Sequence, residues 1–358
     1  MIINKISINQ LRNISAAELN FTQSINVIQG GNGAGKTSLL EAIYLLARAR
    51  SFRSTQSKKL IQADKSNLTL FALTESQNGK ETRIGLKKEG GKNFIKIDGK
   101  SVKKLSELAA TLPIALITPQ SHRLVEEGPE YRRRLLNWGV FHVEHRYREL
   151  LTIYNRVIAQ RNASLKARNN DVDVWNHQIN IYANEIKNLQ AAYVASWNNA
   201  FKQLSKGVDF IDSINIGYQQ GWDKGLSLND ALNKKIQIDQ ARGYTSVGPH
   251  RSDIRLIIDG IPVRNQLSRG QQKFLVTLLM LAQSKIQSTR EKEKTVILFD
   301  DFQSELDRIA QDTLFDIIQG EACQTFMTII EREKGLERKL GSDDEMFHVE
   351  HGSFSRAT

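Results

Sequence analysis

The chain of 358 residues holds a single cysteine, Cys323. No intrachain disulfide can form, and no metal site can be built on cysteine thiolates. A reducing, cytoplasmic setting is expected. No run approaches the roughly 18 apolar residues that a spanning helix needs, so no membrane segment is expected. The opening Met1-Ile2-Ile3-Asn4-Lys5-Ile6-Ser7 mixes polar with apolar residues, so a secretory signal is not expected either. Five prolines and no low-complexity tract argue against long disordered linkers.

What is present is a 40% apolar composition and a formal charge of +11. The length and apolar content suit about two domains with real cores. The charge speaks to partners, and nucleic acid is the commonest polyanion. Distribution sharpens this. Residues 131–168 carry nine Lys and Arg against two Glu, a net of +7. A clustered excess favours a binding face, and Arg146, Arg156 and Arg161 are its candidate DNA contacts.

The strongest local signal is Gly30-Gly31-Asn32-Gly33-Ala34-Gly35-Lys36-Thr37-Ser38. An apolar run (Ile25, Val27, Ile28) precedes it and a helical pattern (Leu39, Leu40, Ile43, Leu46) follows. This is G-x-x-x-x-G-K-[ST] between a strand and a helix. Glycines let backbone N–H groups approach a phosphate closely, and the new helix adds free N–H groups and a positive dipole end. Lys36 supplies charge for the outer phosphates, and the Thr37 hydroxyl is placed to hold Mg²⁺. ATP with Mg²⁺ is therefore expected here. A basic loop, Arg48 to Arg53, lies close by in sequence, to touch nucleotide or DNA or merely to be solvated.

Strands are expected at Ile2 to Leu11, Leu19 to Phe21 and Ile25 to Ile28. From Leu68 to Ile97 the period is two, with turns at Asn78-Gly79, Gly90-Gly91 and Asp98-Gly99, which reads as an antiparallel β-meander. A helix (Val102, Leu105, Leu108) and a strand, Leu112 to Ile117, follow. Then apolar residues recur at three and four from Tyr147 to Leu165 and from Trp175 to Leu204. These predict two antiparallel helices of about 25 to 30 residues, roughly 40 Å each, with the aromatics in their seam. The strand-and-turn pattern returns near Gly243. The expected architecture is an α/β nucleotide-binding head, residues 1–125 and 241–358, split by an inserted helical arm, residues 126–240. A charged linker at Arg290 to Lys294 precedes the apolar strand Thr295 to Phe299.

That strand ends in Asp300-Asp301. It is expected beside the loop strand, with Asp300 the Mg²⁺-side carboxylate and Asp301 placed to polarise a water. Leu267-Ser268-Arg269-Gly270-Gln271 opens another helix, so Ser268 and the following N–H groups form a second phosphate site. The string resembles the Leu-Ser-Gly-Gly-Gln signature of ABC-type ATPases. That resemblance implies that Ser268, Arg269, Gly270 and Gln271 serve the γ-phosphate of an opposite protomer. It likewise implies that Ser304 and Asp307, in Ser304-Glu305-Leu306-Asp307, belong to a dimer-contact D-loop, and that Gln120 is the catalytic-site glutamine of the Q-loop. Lys36 and Asp300 stand 264 positions apart, and the strand Thr325 to Ile330 has no histidine. Both features depart from a transporter ATPase subunit and fit the SMC-like branch.

The chain resembles the RecF family of that branch. The strings carrying the resemblance are Gly30 to Thr37, Thr118 to Val125 with Glu127 to Arg133, Asn137 to His142, Gly248-Pro249-His250-Arg251 with Asp253, Leu267 to Gln271, Asp300 to Asp307 and Phe347 to Glu350. They span the whole chain. The resemblance implies a P-loop head of the ABC/SMC type, a homodimer induced by ATP, and slow, DNA-dependent ATP hydrolysis that acts as a switch. It implies DNA at single-strand gaps or junctions, RecO and RecR as partners, help to RecA, and a place in recombinational repair, replication and the SOS response. A structural, SMC-like DNA tether is the alternative, disfavoured by the short arm; a transporter subunit is a remoter one.

Overall fold

The computed structural model describes residues 1–168, 171–291, 294–321, 323–330 and 339–357. Of the expected charged linker, 290 and 291 belong to the helix that starts at Arg269, and 292 and 293 lie outside the described residues. Two compact units are present: residues 1–121 with 269–358, and residues 122–268.

The first unit begins with strands β1 (Ile2–Leu11), β2 (Ile14–Asn20) and β3 (Ile25–Gln29) and helix α1 (Lys36–Arg48). Strands β4 (Asn67–Glu75), β5 (Glu81–Glu89), β6 (Lys92–Ile97) and β7 (Lys100–Ser101), helix α2 (Leu105–Thr111) and strand β8 (Ile114–Ile117) follow. The second unit holds helices α3 (Arg123–Glu126), α4 (Pro129–Val143), α5 (Tyr147–Ala167), α6 (Val172–Ser205) and α7 (Asp209–Asp212). It continues through β9 (Asn215–Gln219), α8 (Leu228–Arg242), β10 (Asp253–Ile258) and β11 (Ile261–Pro262). The chain then returns to the first unit with α9 (Arg269–Glu291), β12 (Val296–Phe299), α10 (Arg308–Gly320), β13 (Thr325–Ile329), β14 (Glu345–Glu350) and β15 (Ser353–Arg356).

Two sheets build the first unit. One is the antiparallel meander, order β2-β1-β4-β5-β6-β7, its turns where the Gly-containing pairs place them. The other has the order β15-β14-β3-β13-β12-β8 and is parallel except for β15. Residues of both sheets pack with α1 in one apolar core. Helix α1 is buried almost all round, which is why its sequence is apolar on more than one face. Its one buried acid, Glu41, is held by Arg12 through two hydrogen bonds of 2.8 and 2.9 Å. One expectation is corrected here. Strand β12 does not lie beside the loop strand β3, because β13 is hydrogen-bonded between them.

In the second unit α5 and α6 are antiparallel. Tyr147, at the start of α5, meets Gln190, midway along α6, at 2.7 Å, and Arg161, late in α5, meets Asn176, early in α6, also at 2.7 Å. The helices have 21 and 34 residues, so they are about 32 and 51 Å long rather than equal. Tyr147, Tyr154, Tyr193, Trp197 and Phe201 are buried and Trp175 and Tyr182 half-buried, so the aromatic stripe is turned largely inward.

The unit boundary differs from the expected 240/241. Strand β10 pairs with β9, and Asp253 accepts a bidentate hydrogen-bonded ion pair from Arg132 at 2.9 and 2.8 Å. These bonds tie residues after 240 to the helical unit. Tyr154 and His250 add to this. His250 Nε2 lies 3.0 Å from the Thr245 carbonyl, so it donates, and Nδ1 accepts from the Tyr154 hydroxyl at 2.7 Å. Burial pulls this imidazole down to about 4, in keeping with a neutral ring. Gly248, at φ 132, leaves room for that hydroxyl, which a Cβ would meet at 2.5 Å.

Arg161 is also corrected. Its side chain is fully buried and donates to Asp239 at 2.8 Å, Thr245 at 2.9 Å and Asn176 at 2.7 Å. It is a structural cation, not a DNA contact. Arg146 is exposed and pairs with Glu185 at 2.9 Å; Arg156 is exposed. Arg161→Ala should cost about 3–5 kcal/mol by leaving Asp239 buried and unpaired. A solvent-facing arginine would cost within about 0.5 kcal/mol. Thermal melts of the variant distinguish the two.

Candidate functional site

Strand β3 delivers the chain to Gly30, where a Cβ would meet the Val349 carbonyl at 2.4 Å. Glycine is therefore required for the loop to pass β14. Gly35, at φ 126, turns the chain into α1, which starts without a side-chain cap. The first N–H groups of this helix are thus left for a ligand. The loop is braced from outside. Asn13 Nδ2 donates to the carbonyls of Gly33 and Ala34 at 3.1 and 3.0 Å, and its Oδ1 accepts from Ser38 at 3.0 Å. Gly352 N–H donates to Ala34 O at 2.7 Å. Lys36 Nζ donates to Gly30 O and Gly31 O at 2.6 and 2.8 Å.

Opposite lies the end of β12. Asp300 Oδ1 accepts from Thr37 Oγ1 at 2.9 Å and from Thr328 Oγ1 at 3.1 Å, and Thr328 also accepts from Asp301 N–H at 2.8 Å. Burial raises the Asp300 carboxyl above the ordinary range, and the two hydroxyls oppose that. Burial also lowers the Lys36 ammonium, while Asp301 and Asp300 draw it back up. Asp301 sits at φ 57, an unusual backbone for a non-glycine residue.

These residues surround a cavity of about 560 Å³, lined by Gly31, Asn32, Gly33, Gly35, Lys36, Thr37 and Ser38 from the loop and α1, by Asp300, Asp301 and Thr328, and by Arg12, Asn13 and Arg53. Its size suits a nucleotide. A hydroxyl and a carboxylate in contact at its wall are hard oxygen donors, a set that fits Mg²⁺ completed by phosphates and water.

Not every expected residue gathers here. Gln120 is exposed, and its neighbour Pro119 lines the cavity instead. Arg269, Gly270 and Gln271 at the start of α9, and Ser304 and Asp307, line none of it. Ser268, exposed, ends the second unit just before α9. Asp307 caps α10, accepting from Ala310 N–H at 2.8 Å. Of the basic loop, Arg53 reaches the cavity, whereas Arg48 is the last residue of α1.

Lys273 went unnoticed in the sequence, one cation inside the apolar run of α9. It is fully buried and donates to Asp301 O at 2.7 Å, Phe302 O at 3.3 Å and Ser304 O at 2.7 Å. Burial pushes its ammonium down to about 8, against the pull of Asp301, Glu305 and Asp300. One turn earlier, a Cβ on Gly270 would meet Glu305 O at 2.2 Å. The first turns of α9 thus grip the 301–305 loop by close approach and by a buried cation. Arg12, Asn13 and Thr328 were likewise missed, since only tertiary folding brings them to the loop.

Residues 2–352 match the RecF/RecN/SMC N terminal domain family. The chain is 38% identical over 357 residues to the DNA replication and repair protein RecF of Shewanella denitrificans, covering 98% of each. It is 38% identical over 361 residues to that of Psychromonas ingrahamii, covering 99% of each. Among solved structures it is similar to the recombination mediator protein RecF with ATP, at TM-score 0.85 and 25% identity, covering 100% of this chain and 98% of that one. An Smc head bound to the C-winged helix domain of ScpA matches at TM-score 0.60 and 15% identity, covering 100% and 97%, which speaks to fold alone. The fold is that of a P-loop head of the ABC/SMC type, as the motifs implied.

Lys273→Met should release the 301–305 loop. Hydrogen exchange of the amides in that loop should quicken about tenfold or more, which corresponds to a local loss of about 1.4 kcal/mol or more. Unchanged protection would remove the clamp.

Proposed function

The chain belongs to the RecF family, and on that premise we propose that it is an ATP-dependent DNA-binding protein of recombinational repair and replication, working in the cytoplasm. It dimerises on ATP, binds DNA at single-strand gaps or junctions, and acts with RecO and RecR to promote RecA loading, contributing to the SOS response. Slow hydrolysis resets the DNA-bound state.

The observation that carries this reading is the division of the phosphate-binding parts. The loop, Thr37, Asp300 and Asp301 surround one cavity, while the Arg269 to Gln271 turn and the Ser304 to Asp307 segment stand away from it. A second copy of the chain supplies what the cavity lacks. Ile309, 80% exposed in the first turn of α10, is the kind of apolar residue such a contact would cover.

In this reading the α1 N–H groups and Lys36 hold the triphosphate. Thr37 and Asp300 hold Mg²⁺, which when bound neutralises phosphate charge. Asp301 orients the attacking water and takes its proton, its backbone set by Thr328 and Lys273. From the second copy, Ser268 and the N–H groups after it cover the γ-phosphate. ATP favours the dimer because it touches both copies, so its affinity for that state is higher. Arg146 and Arg156 contribute to DNA binding from the arm.

Lys36→Ala should nearly abolish ATP binding, read by calorimetry. Light scattering with ATP should show dimers of the wild-type chain and only monomers of Ser268→Ala, with ATP still bound; undiminished dimer would remove Ser268 from the interface. Asp301→Asn should accumulate the ATP dimer, and undiminished turnover would strike out its role. Charge reversal at Arg146 and Arg156 should reduce the salt slope of DNA binding by about 0.9 for each phosphate that is no longer neutralised, and an unaltered slope would place DNA elsewhere.

A further inference from the structure

The outer face of the antiparallel sheet takes no part in the cavity. Directly opposed residues of antiparallel strands share a face, so the register defines it. Phe71 lies opposite Gly85, and Gly85 opposite Lys96. The next row holds Lys87 and Phe94, and the row on the other side holds Leu73 and Arg83. Phe71 and Phe94 are 36% and 51% exposed, while Leu70, Ala72 and Ile95 beside them along the strands are buried. The core therefore does not account for these two rings. They are two strands and one row apart, about 12 Å. Gly85 leaves an open floor between them, since a Cβ there would meet nothing within 4 Å.

By the same register this face holds Lys5, Arg83, Lys87, Lys92 and Lys96 together with Glu18, Glu75, Glu81 and Glu89, and Lys5 is paired with Glu18. Residues 80–104 carry nine Lys and Arg against three acids, a net of +6, so the arm is not the only basic cluster. Lys88 turns inward to the Ala49 carbonyl at 2.9 Å, and Lys87 pairs with Glu89 at 2.9 Å. Arg83, Lys92 and Lys96 are exposed, and among the described residues no carboxylate forms an ion pair with them.

We propose that this face binds single-stranded nucleic acid, with bases stacked on Phe71 and Phe94 and phosphates on Arg83, Lys92 and Lys96. Exposed rings interleaved with cations on a flat sheet suit unpaired bases, each of which offers a π-face, together with the strand's phosphates. A duplex keeps its base faces stacked and offers phosphates and groove edges instead. An acidic protein segment would use the cations but would not call for two outward rings. The site goes beyond the ATP-gated reading and needs no nucleotide.

The test is anisotropy of fluorescein-labelled dT20 with the full-length chain, without ATP, over a salt series. The wild-type chain should bind. Phe71→Ala with Phe94→Ala should weaken dT20 about tenfold or more while leaving a 20-base-pair duplex within twofold. Arg83→Glu with Lys96→Glu should flatten the salt slope for dT20. These positions are exposed, so thermal melts and ATP-induced dimers should match the wild type. Ultraviolet cross-links from bromodeoxyuridine oligonucleotides should map to residues 69–73 and 92–97. The proposal is overturned by no dT20 binding, by a change under twofold in the phenylalanine pair, by an equal loss on duplex, or by cross-links confined to other segments. It is overturned too if polyglutamate displaces dT20 as effectively as unlabelled dT20 does, which would assign the face to an acidic protein.

Discussion

The first unit turns on one half-buried carboxylate. Asp300 receives hydroxyl hydrogen bonds from Thr37 and Thr328, and so joins the start of α1 to the ends of β12 and β13. This tie fixes the uncapped start of α1 to the opposite wall of the cavity. Burial penalises the Asp300 charge, and two hydroxyls are not a full counter-charge. The site is therefore built to favour a cation at that wall. Lys36 shows the converse: an ammonium partly withdrawn from water, satisfied by loop carbonyls and drawn up by the two aspartates.

A second grip works beside the first. Lys273 and Gly270 fasten the start of α9 to the loop that carries Asp301. Asp301 and Glu305 both adopt left-handed backbone there, a cost of order 1–3 kcal/mol for each residue so held. Any movement of the α9 start is thereby felt at Asp301, which gives the proposed contact with a second copy a physical route to the reacting end of the cavity.

Much of this was legible in the residues. The glycine loop between a strand and a helix, the Asp pair at the end of an apolar strand, the helix opening at the signature string and the two-residue period of the meander each follow from local chemistry, and each is present in the structure. What was not legible depends on who is adjacent. Nothing local in Thr325 to Ile329 says that this strand inserts between β3 and β12, so Thr328 was not suspected of touching Asp300. Arg161 looked like a surface cation because charge counts do not see Asp239, 78 positions away. The boundary was misplaced because β10 reads as a strand like those of the head, while its partner β9 belongs to the helical unit. Asn13 and Gly352 brace the phosphate loop from 20 residues before it and from the far end of the chain, where no motif marks them.

The central claim is that one complete site is made from two copies. Mixing Lys36→Ala with Ser268→Ala tests it most directly. Neither variant alone has an intact site if the signature serves the opposite cavity. In a mixed dimer, the Ser268→Ala copy offers an intact loop to the intact signature of the other. The account predicts that ATP-dependent dimers and turnover, absent from each variant, reappear on mixing. If mixing restores nothing while both variants remain folded, the two halves act within a single chain and the account is wrong.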